Sequence, residues 1–148
     1  MKRGVLMAAV ACLTACQPPQ ANTPPDAPEA WQTIIETKDG VTVSFLPSSL
    51  RSTTESTVAW IRVQYDVLHD TELRGQAVRY DRELDYWSID CGTLKFSVDK
   101  REFYRGTTKV GEWPSEAIEM LYVKKELPTP GTKAYIVVIA VCKAARKA

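Results

Sequence analysis

The sequence predicts a small domain built on an antiparallel β-sheet. Short runs of alternating apolar and polar residues recur from Val41 to Tyr104. They are punctuated by glycine, proline or charge, and no helical period separates one run from the next. Consecutive strands without intervening helices indicate antiparallel pairing rather than a doubly wound sheet.

The chain opens on Met1, Lys2 and Arg3, followed by an apolar run from Val5 through Met7 and Val10 to Leu13, then Thr14, Ala15 and Cys16. A positive start, a short apolar middle and a small-residue exit are the parts of a secretory signal. The run is about half of the roughly 20 residues needed to span a bilayer, which argues against a permanent transmembrane helix. Leu13-Thr14-Ala15-Cys16 resembles the bacterial lipobox, in which the cysteine is acylated and the chain is cut just before it. Residues 1–15 are therefore expected to leave as a signal peptide, with Cys16 as the lipidation site. By analogy with lipoprotein sorting, Gln17 after the cysteine favours the outer membrane of a two-membrane bacterium. Residues 16–30 hold Pro18, Pro19, Pro24, Pro25 and Pro28 with almost no apolar bulk. Such a stretch cannot bury enough surface to fold, and reads as an extended tether to a domain at 31–148.

Losing Lys2 and Arg3 with the signal leaves 17 basic against 18 acidic side chains, a formal charge of −1 in place of +1. A near-neutral chain offers no electrostatic case for nucleic acid, whose binding requires many phosphates to be neutralised. Of four cysteines, Cys12 lies in the signal and Cys16 takes lipid. Cys91 and Cys142 remain, an even pair in an oxidising compartment, and read as one disulfide. A redox pair usually sits at Cys-x-x-Cys spacing, and zinc needs more ligands than two cysteines and the single His69.

Val41-Thr42-Val43-Ser44-Phe45 follows Gly40 and ends at Pro47, a clear alternating strand. From Val58 to Tyr65, Ala59, Ile61, Val63 and Tyr65 share one face. Asp66 to Gln76 is polar, holds Gly75, and reads as a connecting loop. Ala77–Tyr80 and Tyr86–Cys91 read as two further strands, with Asp81, Arg82 and Glu83 between them. Leu94, Phe96 and Val98 alternate again, Phe103 and Tyr104 begin another strand, and Gly106 and Gly111 punctuate the hairpin that follows.

The C-terminal segment has two readings. Ile136-Val137-Val138-Ile139 is β-branched and by propensity is a strand. Thr132, after Pro130 and Gly131, is a suitable helix cap, and Tyr135, Val138, Ile139 and Cys142 then fall on one helical face. Lys143, Arg146 and Lys147 suit a helix C-terminus.

From Trp31 to Cys142 the chain resembles the surface-adhesin protein E-like domain of bacterial lipoproteins. The likeness rests on Trp31, Asp39-Gly40, Pro47-Ser48-Ser49-Leu50 and Val58-Ala59-Trp60. It continues through Ser88-Ile89-Asp90-Cys91, Tyr104 with its glycine turn, and Pro130-Gly131-Thr132 before Cys142. The resemblance implies an α+β fold: an antiparallel sheet with a C-terminal helix, stapled by a bridge from Cys91 on the sheet to Cys142 on the helix. The chain departs from that pattern between Trp113 and Leu127, where Glu116-Ala117-Ile118-Glu119-Met120-Leu121 is longer than expected, so no binding loop is carried over.

No catalytic constellation stands out. Asp66, His69, Asp70 and Glu72 are of metal-ligating type, but their spacing matches no metal motif and reads as a solvated loop. Asp81, Glu83 and Asp85 are of the type that glycosidases pair. Interleaved with Arg79 and Arg82, they read as an exposed charged edge or turn. Among the aromatics Trp31 and Trp60 are expected in the core. Tyr86 and Trp87 face opposite sides of one strand, so one of them is expected to be exposed. The function that follows is non-enzymatic and without a cofactor. It is a lipid-anchored envelope protein binding a macromolecular partner, as an adhesin for extracellular-matrix proteins or through an envelope component. The alternative is a structural or accessory envelope lipoprotein.

Overall fold

The computed structural model describes residues 30–113 and 124–147. The expected signal peptide, Cys16, nearly all of the tether and the divergent segment 116–121 lie outside them. The chain forms strands β1 (Gln32–Glu36) and β2 (Val41–Phe45), a 3-10 turn at Pro47–Ser49, and a short β3 (Arg51–Ser52). Four longer strands follow, β4 (Thr57–Leu73), β5 (Gln76–Asp90), β6 (Lys95–Arg105) and β7 (Thr108–Trp113), and then one helix, α1 (Lys133–Ala145). The strands make one antiparallel sheet in the order β1-β2-β4-β5-β6-β7, with β3 paired to β4 off that path. The expected fold class holds, an antiparallel sheet with a C-terminal helix joined to it by a disulfide.

The strands are longer than their alternation suggested. The expected loop at 66–76 is instead the continuation of β4, whose ladder with β5 slips between Gln64 and His69 and resumes from His69↔Tyr80 to Leu73↔Gln76. Arg74 and Gly75 both take positive φ, at 52° and 74°, so two residues suffice to reverse the chain. That backbone matches the twist of a tight hairpin. Likewise Asp81-Arg82-Glu83 is no break, because β5 runs unbroken through it. Phe103 and Tyr104 extend the strand that begins at Lys95 rather than starting a new one. Charged residues in these stretches read as turns, but they occupy ladder positions whose side chains are ion-paired or reach solvent.

One face of the sheet carries the main core. Val41, Val43, Phe45, Ala59, Ile61, Trp87 and Ile89 meet Val137, Val138, Val141 and Cys142 of α1. Thr132 caps the helix, its side-chain oxygen accepting from the Tyr135 N–H at 3.3 Å. Val137, Val138, Val141 and Cys142 form the buried stripe, with Ala134 half-buried against it. Val138 and Cys142 of the expected Tyr135–Val138–Ile139–Cys142 face are buried, but the stripe is shifted toward Val137 and Val141. That shift turns Ile139 to the surface.

The opposite face is covered too. Leu46, Trp60, Leu84 and Tyr86 form a second core, with Trp31, Val58 and Tyr104 packed against it. The chain after β2 folds back here. The Trp60 N–H donates to Ser49 Oγ at 2.9 Å, and the Leu46 N–H donates to the Trp60 carbonyl at 3.0 Å. Trp60 is buried as expected and Trp31 is half-buried, with the Arg62 guanidinium 4.6 Å from its ring centre. Because both faces are covered, Tyr86 and Trp87 are both buried, and neither is the exposed aromatic that strand alternation alone required.

Candidate binding surface

Cys91 and Cys142 are bonded, with S–S 2.01 Å and Cα–Cα 5.5 Å. The bridge ties the end of β5 to α1. Next to it the Asp90 carboxylate holds the β5–β6 turn, accepting from the Gly92 and Thr93 N–H groups at 2.9 and 3.1 Å and from the Thr93 hydroxyl at 2.6 Å. These bonds, the Thr93 hydroxyl first, hold the Asp90 carboxyl below its ordinary pKa.

The polar stretch of β4 does not converge. Asp66 lies beside Gly40, whose positive φ of 78° and close approach leave no room for a side chain. The His69 ring packs on Tyr65 at 4.0 Å between centres. Asp70 is engaged across the hairpin by Arg79, Nε to Oδ1 at 2.8 Å, and Glu72 is exposed. Among the described residues, no group of three or more His, Cys, Asp or Glu side chains is placed to hold a metal ion.

The carboxylates of β5 behave differently from the exposed edge they were expected to form. Glu83 and Asp85 are buried on the helix-bearing face, Asp85 only 1% exposed. Arg101 of β6 lies between them. Its Nε and Nη2 donate to the two Asp85 oxygens at 2.7 and 2.6 Å, and Nε is 3.2 Å from Glu83. Trp87 Nε1 donates to Asp85 at 3.2 Å, and the Tyr65 hydroxyl donates to Glu83 at 2.9 Å. Burial pushes the Asp85 carboxyl up, against the pull of Arg101. Burial also opposes the Arg101 charge, but bonding to Asp85 and the nearby Glu83 charge prevail and keep it protonated. Burial and the Glu83 charge push the Tyr65 phenol far up, and that of Tyr80 up to about 12.

Both carboxylates thus face inward onto one guanidinium, which makes them an internal ionic lock rather than a pair open to a sugar. An aromatic row borders the lock, Tyr65 to Tyr80 at 5.8 Å and Tyr80 to Phe103 at 4.8 Å. The charge of Glu83 and Asp85 was visible in the sequence, but Arg101 as their shared partner was not. Phe103 alternating with Arg101 on β6 was the available signal.

A groove opens where β1 meets α1. It measures about 690 Å³, with Ile34 and Phe45 on the sheet side, Ile136 and Ile139 on the helix side, and Lys143 and Lys147 toward the helix C-terminus. Ile136 and Ile139 are 42% and 39% exposed. Among the described residues, no acidic side chain lines the groove. Sequence reasoning placed Ile139 on the buried face; starting the helical stripe at Ala134 would have left both isoleucines outside. No described helix is long and apolar enough to cross a membrane. No family model, curated protein or solved structure matches this chain.

Proposed function

We propose that this chain is an envelope lipoprotein, held to the bacterial outer membrane through acylated Cys16, whose domain 31–148 binds a macromolecular partner. The groove between β1 and α1 carries the reading. Ile136 and Ile139 stand in solvent on a helix whose buried stripe is already complete without them. Apolar side chains gathered in a concave surface with a charged rim are the usual make-up of a recognition site. Three features of the sequence support the export and anchoring half: Leu13-Thr14-Ala15-Cys16 after an apolar run, the proline-rich tether, and a disulfide suited to an oxidising compartment. The resemblance to surface-adhesin E-like lipoproteins points to extracellular-matrix proteins or an envelope component as partner.

The test is a binding screen of the full chain against matrix proteins and envelope extract, run beside a hydrolase panel. Saturable binding that survives moderate salt and falls in an Ile136→Asn/Ile139→Asn variant is the expected result. Binding to neither class of protein would favour a structural or accessory envelope role, and turnover lost on changing His69 or Asp66 would make the protein an enzyme.

A further inference from the structure

We infer that the β1–α1 groove takes an extended, acidic peptide segment of a protein partner, laid beside β1. The inference rests on the reading of the domain as a binding module and specifies what that module recognises.

Strand β1 is the first strand of the sheet and pairs with β2 on one side only. Among the described residues, no backbone group bonds to its other side. A free strand edge is a template for another chain, and native edges are commonly blunted with lysine, proline, a charge turned inward or a β-bulge, of which β1 has only the single irregularity at Ile34. Residues Gln32-Thr33-Ile34-Ile35-Glu36 hold no lysine or proline. A register shift between Thr33 and Ile35 sets Ile34 outside the ladder with β2, and Ile34 lines the groove. Backbone groups supply affinity in such an addition, while pockets for alternate side chains supply selectivity.

The opposite wall defines those side chains. Ile136 and Ile139 offer branched apolar surface, with Phe45 behind them on the sheet. Further along, Lys143 and Lys147 give two positive charges, and no acid is found among the described lining residues. An apolar segment leading into carboxylates is the complementary chemistry. Anionic lipid headgroups would also suit the lysines. A flat headgroup layer does not reach Ile34 and Phe45 between strand and helix, so the concave shape favours a peptide.

The probe is a random dodecapeptide library displayed on phage and panned on the full chain in detergent micelles. Enriched sequences are expected to alternate apolar residues and to carry net negative charge. Synthetic copies should bind about tenfold more weakly to Ile136→Asn/Ile139→Asn, a change of about one decade in Kd. Binding to Lys143→Gln/Lys147→Gln should be several-fold weaker and less sensitive to salt. Melting temperatures of both variants near that of the parent keep the comparison about binding. Enriched peptides that bind the groove variants as tightly as the parent overturn this groove and leave a binding domain with another site. Failure of any peptide to enrich, or enrichment of basic peptides, overturns the inference. So does lysine-dependent binding to phosphatidylglycerol vesicles in the absence of an enriched peptide, which would assign the face to a membrane. Loss of saturable binding in the extract screen as well would remove the parent reading too.

Discussion

Arg101 closes a two-bond fork on Asp85 inside the sheet face, with Nε and Nη2 at 2.7 and 2.6 Å from the two carboxylate oxygens. Such a pair is costly to form from water and more costly to break on one side. Glu83 leans on the same guanidinium, so three charges of β5 and β6 stand or fall together.

Arg101→Met should therefore destabilise the domain by about 3 kcal/mol, the low end of the range for orphaning a buried carboxylate because Arg101 itself is partly exposed. Adding Asp85→Leu and Glu83→Leu to that variant should restore much of the loss, since no buried charge is then left without a partner. Urea denaturation of the single and triple variants checks both. A triple variant less stable than Arg101→Met would mean that the network contributes more than its desolvation costs.

Cys142→Ser opens a loop whose ends lie 51 positions apart. In the chain-entropy model closing such a loop stabilises the fold by about 4 kcal/mol. The variant should melt on the order of 10 °C or more below the parent. Thermal scans with and without reductant check this, and reductant should shift the parent but not the variant.

Cys16→Ala should leave the folded domain unchanged and the chain either uncleaved or, once its signal is removed, released from washed membranes. Stable anchoring takes two or more acyl chains, which the proposed lipidation of Cys16 would supply. Membrane fractionation after expression reads the outcome, and a variant still sedimenting with membranes after signal removal would count against the anchor.

Asp90 gives a pH dependence whose sign is determined. Its folded pKa lies below the ordinary carboxylate value because the Thr93 hydroxyl and the Thr93 and Gly92 N–H groups bond to the charged form. The resulting stabilisation is fully present above about pH 4, the unfolded value. It is lost as pH falls through the folded value. Asp90→Asn should be less stable than the parent at pH 7, and the gap should narrow at pH 3. Denaturant titrations at the two pH values measure it.

The strands were legible where one face is buried and the other wet, as in Val41–Phe45 and Val58–Tyr65. They were not legible where charge falls on a ladder position. Asp66 to Gln76 has the composition of a loop, yet the segment stays extended because Asp70 and Arg79 pair across the hairpin and Arg74-Gly75 alone makes the turn. Asp81 to Asp85 also read as a turn because the neutralising residue, Arg101, lies far along the chain on the next strand. The helix was half legible: Thr132 signals its start, whereas the β-branched run Ile136–Ile139 argues for a strand. Nothing local distinguishes a stripe on Val138 and Ile139 from one on Val137 and Val138. Only the sheet surface beneath decides it, and with it whether a groove exists.

The two walls of that groove come from parts of the chain about a hundred residues apart. A surface assembled from such distant segments has no partial form. While the chain is emerging and only β1 exists, there is no cleft to occupy. The groove arises only when α1 lands on the finished sheet, and the covalent link at Cys142 then tethers the helix there. Capture of a partner in the proposed groove would thereby need a chain that has completed folding. A chain still in transit has the strand edge but lacks the facing wall, and one whose thiols are reduced holds that wall less firmly.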